Sequence, residues 1–166
     1  MKDGQGQYSL EAGFVVLLIY VRGGFMHINE IQEGWSFETE PQIITQDMIE
    51  GFADLTGDHN PLHLDEDAAE RGPFGGIVSH GRLTGDVAIG MLPYGLIEGA
   101  MLLEDKTEYL RPVRPGDHIR SEFTVLYKDN DARRPEIWYL DCEIKVLNQD
   151  DKTVAKMRLK MRVSKN

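Results

Sequence analysis

The chain has 166 residues, 41 % of them hydrophobic and 28 % charged, and carries a net charge of −10. That length suits one domain with its own core, and the acidic excess argues against sequence-independent nucleic-acid binding, which needs a basic surface. A lone cysteine, Cys142, excludes an internal disulfide and a cysteine-built metal site, and leads us to expect a cytoplasmic protein.

The apolar run from Gly13 to Val21 is too short to cross a membrane. With only Lys2 ahead of it, and Asp3 and Glu11 close by, it makes a poor secretory signal. Gly23-Gly24 breaks the pattern before Met26, so residues 1–25 read as an extension outside the core fold and 26–166 as a self-contained domain. Trp35 to Glu40 alternates weakly, as a first strand stopped by Pro41. Thr45 is placed to cap a helix running to about Thr56, with Met48, Ile49, Phe52 and Leu55 on its buried face. Gly57 suits a left-handed C-cap, so Asp58 opens a loop just outside the helix end. A short helix is predicted over Asp65 to Arg71, followed by the glycine-rich turn Gly72 to Gly76.

The next helix is predicted from about Ser79 to Met91. Leu83, Val87 and Met91 recur every four residues, while Gly81, Gly85 and Ala88 keep another face small enough for close packing. Pro93 and Gly95 end or bend it. A strand follows from about Met101 to Leu110, and then the period changes to two. Ile119, Phe123, Val125 and Tyr127 share one phase, as do Trp138, Leu140, Cys142, Ile144 and Val146, and then Ala155, Met157, Leu159, Met161 and Val163. Such alternation marks an antiparallel sheet with one buried face, and it buries Cys142 as an inert thiol. The only long apolar helix available to cover that face is 80–91. The expected fold is therefore α+β, an antiparallel sheet wrapped around a long central helix, the hot-dog layout.

The chemistry-bearing stretch is Asp58-His59-Asn60-Pro61-Leu62-His63. A carboxylate and an imidazole around a rigid turn are the minimum equipment for moving water onto or off a substrate. His63 is the candidate base with Asp58 orienting it, Asn60 and Pro61 hold the turn, and His59 is a bystander. His59, His63 and His80, with Asp58 and Asp65, invite a metal reading, but a metal is not expected, because Pro61 opposes a helical alignment of His59 with His63 and the spacing lacks a firm zinc pattern. Ser79-His80-Gly81 opens a helix whose first N–H groups are unpaired and carry partial positive charge. Glycine there admits a carbonyl closely, so the Gly81 N–H is a candidate oxyanion donor, with Ser79 and His80 beside it as substrate-positioning candidates. Asp86, inside the apolar helix, faces solvent or an N-terminal partner, with a second functional carboxylate as the weaker alternative.

Three segments carry a family resemblance. They are Phe52-Ala53-x-Leu55-x-x-Asp58-x-Asn60-Pro61-Leu62-His63-x-Asp65, Phe74-Gly75-Gly76-Ile77-Val78-x-His80-Gly81, and Tyr109-Leu110-Arg111-Pro112-Val113-x-Pro115-Gly116-Asp117. In this order they resemble the MaoC-like dehydratases, which include the R-specific enoyl-CoA hydratases, over roughly residues 30 to 165. The resemblance implies a hot-dog homodimer, or a dimer of dimers, acting on acyl-CoA thioesters without metal or redox cofactor, CoA being the substrate's carrier. It implies Asp58 and His63 as catalytic residues, Asn60 as a positioning residue and Gly81 as the oxyanion donor. The implied reaction is reversible syn addition of water to a trans-2-enoyl thioester, giving an R-3-hydroxyacyl product. Ser79 and Arg82 depart from the small or apolar residues common beside the oxyanion glycine, which bears on the acyl pocket. Two other activities compete: thioester hydrolysis using a helix carboxylate such as Asp86, and a non-catalytic acyl-CoA-binding subunit.

Overall fold

The computed structural model describes residues 28–92 and 100–164. The predicted extension over 1–25, and the helix-ending Pro93 and Gly95, lie outside those residues. In chain order the elements are a 3-10 turn (Ile28–Glu30), strands β1 (Ser36–Glu38) and β2 (Gln42–Ile43), and helices α1 (Gln46–Thr56), α2 (Pro61–Leu64), α3 (Glu66–Glu70) and α4 (Gly81–Gly90). Strands β3 (Ala100–Tyr109), β4 (His118–Asn130), β5 (Ile137–Asn148) and β6 (Thr153–Ser164) follow.

The period-two segments become β4, β5 and β6, each antiparallel to the next, with β3 on the far side of β6. β1 and β2 both pair with β4, so the sheet runs β1-β4-β5-β6-β3 with β2 alongside β4. Tight turns join the long strands. At Asn148 the side-chain Oδ1 accepts from the Asp150 and Lys152 N–H groups, and Asp151 takes a positive φ of 57°, which short polar residues tolerate.

One face of the sheet is buried along Phe123, Val125, Leu140, Cys142, Ile144, Met157 and Leu159, and Leu83, Ala88 and Ile89 of α4 join that core. Burying each such large side chain is worth about 1.5–3 kcal/mol, so the sheet–helix contact dominates the fold. The Ser121 hydroxyl donates to the Ala88 carbonyl oxygen at 3.2 Å and fixes α4 over β4. The small face predicted for this helix receives an aromatic ring. A Cβ built on Gly81 would stand 3.2 Å from three ring carbons of Tyr109, and one on Gly85 would stand 3.5 Å from the Tyr109 hydroxyl and from Met157 Cε. The structure is thus the predicted α+β hot-dog arrangement, with α4 beginning at Gly81 and His80 as its N-cap. No helix among the described residues is long and apolar enough to cross a membrane.

Three local expectations fail. Leu55 is 84 % exposed: contact of α1 centres on Ile49 and Ala53, with Met48 and Phe52 half-buried at its edges and Leu55 to one side in the last turn. Tyr127 is 51 % exposed, because the pairing of β4 with β5 slips between Val125 and Tyr127. One extra residue in a strand moves every later side chain to the other face. Pro61 does not fix a loop but begins helix α2, where its missing N–H is no loss.

Candidate active site

The site is assembled by a chain of caps. The Thr45 hydroxyl accepts from the Met48 N–H at 3.2 Å and starts α1, and Gly57, at φ 78°, ends it with its N–H on the Ala53 carbonyl. The chain turns at once. Asp58 Oδ1 accepts weakly from the Asn60 N–H at 3.4 Å, and Asn60 Oδ1 accepts from the Leu62 N–H at 3.1 Å as the N-cap of α2. Asp65 then caps α3 by accepting from the Ala68 N–H at 2.9 Å. These short polar bonds set His63 in α2 at a fixed place relative to Asp58.

His63 is 9 % exposed and donates from Nδ1 to the Val78 carbonyl oxygen at 2.7 Å. A carbonyl only accepts, so Nδ1 holds the proton of the neutral ring and Nε2 keeps its lone pair. His80, 2 % exposed, donates from Nε2 to the Asp58 carbonyl oxygen at 2.9 Å. The His63 and His80 rings stack with centroids 3.8 Å apart, and Phe52 lies 5.1 Å from His80 on α1. One ligand-type atom from each of Asp58, His63 and His80 falls within 4.8 Å of the others. The loop after α1 and the start of α4 are thereby stitched together.

A cleft of about 320 Å³ opens beside this cluster. Leu62, Val78, Leu110 and Val113 make it largely apolar, His63, Ser79 and Thr84 give it polar points, and Gly81 and Tyr109 form one side. The Ser79 hydroxyl donates to the His80 carbonyl oxygen at 3.1 Å and accepts from Thr84 at 3.3 Å. Arg111 also lines the cleft, is exposed, and bonds the Thr153 carbonyl. A reactant in this cleft meets an imidazole lone pair and the N-terminal end of a helix within one small volume.

Of the residues singled out in the sequence, His63, Ser79 and Gly81 line the cleft, while Asp58 and His80 join the cluster at His63 without lining it. Asn60 caps α2 and is exposed. His59 turns away to Asp54 at 3.2 Å, and that hydrogen bond raises its pKa above the usual imidazole value. Asp86 is paired with Arg82 at 2.9 Å, and Arg82 also holds Asp105 at 2.6 Å, so both residues are occupied with each other and with β3. The sequence assigned no role to Thr84 or Tyr109. Tyr109 stands in one of the family-like segments, and Gly81 and Gly85, four apart, were the signal that something large packs against α4.

A family model described as "MaoC like domain" matches residues 29–137. A 3-hydroxybutyryl-CoA dehydratase of Methylorubrum extorquens is 30% identical over 113 residues, covering 68% of this chain and 71% of that protein. The 3-hydroxyacyl-thioester dehydratase Z of Mycobacterium tuberculosis is 49% identical over 92 residues, which span 50% of this chain and 58% of that relative. Among solved structures, the MaoC-like dehydratase from Rhodospirillum rubrum superposes with a TM-score of 0.77 at 27% identity, covering 86% of this chain and 99% of that one.

Proposed function

The chain belongs to the MaoC-like dehydratase family, and on that premise we propose that it adds water reversibly to a trans-2-enoyl-CoA thioester to give the R-3-hydroxyacyl-CoA. The observation that carries this reading is the position of His63, which belongs both to the cluster with Asp58 and to the cleft that ends at Gly81. The thioester oxygen sits against the Gly81 N–H, which draws electron density from the β-carbon. Water held by Asp58 and His63 loses a proton to the pair as its oxygen bonds the β-carbon, and a proton returns to the α-carbon on the same face. The sum is one water added and the thioester intact, with no change of oxidation state for a redox cofactor to balance, and CoA acts as the carrier.

The bond from His63 Nδ1 to Val78 supports this role, since it fixes the tautomer with Nε2 free to accept. Asn60 and His80 act as positioning residues, the first by capping α2 and the second by holding the Asp58 backbone. Ser79 and Thr84 supply the polar lining for the acyl group or the thioester, and Arg111 is placed to meet a CoA phosphate. Thioester hydrolysis from the helix carboxylate is less well supported, because Asp86 is held by Arg82. We propose a homodimer formed along the edge strand β3, which exposes Met101, Leu102 and Leu103, an apolar edge that a second copy would cover.

The test is incubation of the purified chain with crotonyl-CoA and longer or branched enoyl-CoAs, with chiral analysis of the product. Formation of the R-3-hydroxyacyl-CoA is the expected result. Release of free CoA from saturated acyl-CoA would favour the thioesterase, and no turnover of any thioester would favour a binding subunit.

A further inference from the structure

Among the described residues, one trio of ligand-type side chains converges, Asp58, His63 and His80, within 4.8 Å. The hydration chemistry uses Asp58 and His63 and leaves a loose end: His80 Nδ1 is buried with no hydrogen-bond partner. Buried polar atoms are rarely left unpaired. The tautomers sharpen the point. Each histidine donates one ring N–H to a backbone carbonyl, His63 to Val78 at 2.7 Å and His80 to Asp58 at 2.9 Å. The remaining lone pairs are therefore on His63 Nε2 and His80 Nδ1. Histidines that hold a metal are oriented in this way, the far N–H tied to a carbonyl or carboxylate.

We propose that Asp58, His63 and His80 form a binding site for a divalent transition ion of the zinc type, and that the ion blocks the enzyme. Two imidazoles and a carboxylate suit Zn²⁺, Co²⁺ or Ni²⁺ and are poor for Mg²⁺ or Ca²⁺, which prefer oxygen ligands throughout. The net charge of −10 favours cation accumulation. The rings lie 3.8 Å apart and 32° from parallel, so they must part for both lone pairs to reach one ion. Such a site loads reversibly and does not hold the fold together. A bound ion occupies the His63 lone pair that the hydration step needs for a proton. The block rests on the hydration reading, whereas the binding does not. The loose spacing of these residues in the sequence argued against a metal, and it is the fold that brings the His80 ring onto His63.

The test is calorimetric titration of the full chain, freed of metal by chelation, with Zn²⁺ alone, and optical titration with Co²⁺. We expect one ion per chain, bound at least about 10-fold more weakly by His80→Gln and by Asp58→Asn. His59→Gln, which alters the exposed pair with Asp54, should leave binding unchanged. Asp58 is exposed, so Asp58→Asn decides the matter if His80→Gln does not fold. Absence of saturable binding, binding unchanged in Asp58→Asn or a folded His80→Gln, or binding lost in His59→Gln, would overturn the site. Zn²⁺ should also stop enoyl-CoA hydration, with recovery on adding chelator. A chain that binds the ion but hydrates nothing refutes the functional reading and leaves the site standing, while one that hydrates but binds no ion refutes the site alone.

Discussion

Replacing Gly81 by alanine probes the proposed oxyanion donor without removing its N–H. The new Cβ would lie 3.2 Å from three carbons of the Tyr109 ring, against a preferred separation of about 3.5–4.0 Å. Ring and helix must therefore part by about 0.3–0.8 Å. Overpacking of this kind costs about 1–3 kcal/mol, offset by up to about 1 kcal/mol because alanine favours helix over glycine. The net expectation is a loss of about 0–3 kcal/mol, with a larger effect on rate, since displacing a catalytic group by about 1 Å can cost about 100-fold. Urea unfolding and initial rates with crotonyl-CoA measure the two effects. Tyr109→Leu in the same chain removes the obstructing ring carbons, so the double variant should recover much of the loss and the cycle should be strongly non-additive. An additive cycle, or Gly81→Ala with unchanged rate, would refute the assignment of Gly81 as a donor fitted under Tyr109.

Asn60→Ala removes the α2 cap and should cost about 1 kcal/mol in thermal or urea unfolding, with a fall in kcat as His63 loosens, while Asn60→Asp keeps the cap and most of the stability. Burial pushes the Cys142 thiol from 9.0 up to about 12. The unfolded chain therefore ionises this thiol first, and the stability it gives, complete below about pH 9, is lost as pH rises toward 12. Cys142→Ala should show a shallower decline in urea midpoint over that window, and a thiol reagent should label the folded wild type slowly. Asp54→Asn should lower the His59 pKa, as read by NMR titration, because the ionised acceptor whose hydrogen bond and charge raise it is replaced by a neutral one. Hydration should be unaffected, and a matching fall in rate would place His59 in the site after all.

Much of this architecture was legible because its signals are local. Thr45 and Gly57 announce their caps within a few residues, and the alternation from Ala155 to Val163 is carried by the strand itself. What the sequence concealed depends on partners. The slip at Leu126 that exposes Tyr127 is a single added residue with no compositional mark. Pro61 is equally at home in a rigid loop or at the first position of a helix, and only the Asn60 cap decides. In the site, the Asp58 and His63 spacing is common and gained weight only from the helix start at Ser79-His80-Gly81, and the acceptors that set both histidine tautomers are the backbone carbonyls of Val78 and Asp58. Every residue has a carbonyl, so no sequence pattern identifies those two. His80 likewise stands far from His63 in the chain, and only the fold stacks the two rings.

The most direct test of the central claim is the hydration rate of Asp58→Asn and His63→Gln, each shown to be folded, against wild type with crotonyl-CoA. If the pair handles the water, each variant should lose about 10²- to 10⁴-fold in kcat, and wild type should give the R product. Rates within a few-fold of wild type in either variant would contradict the account.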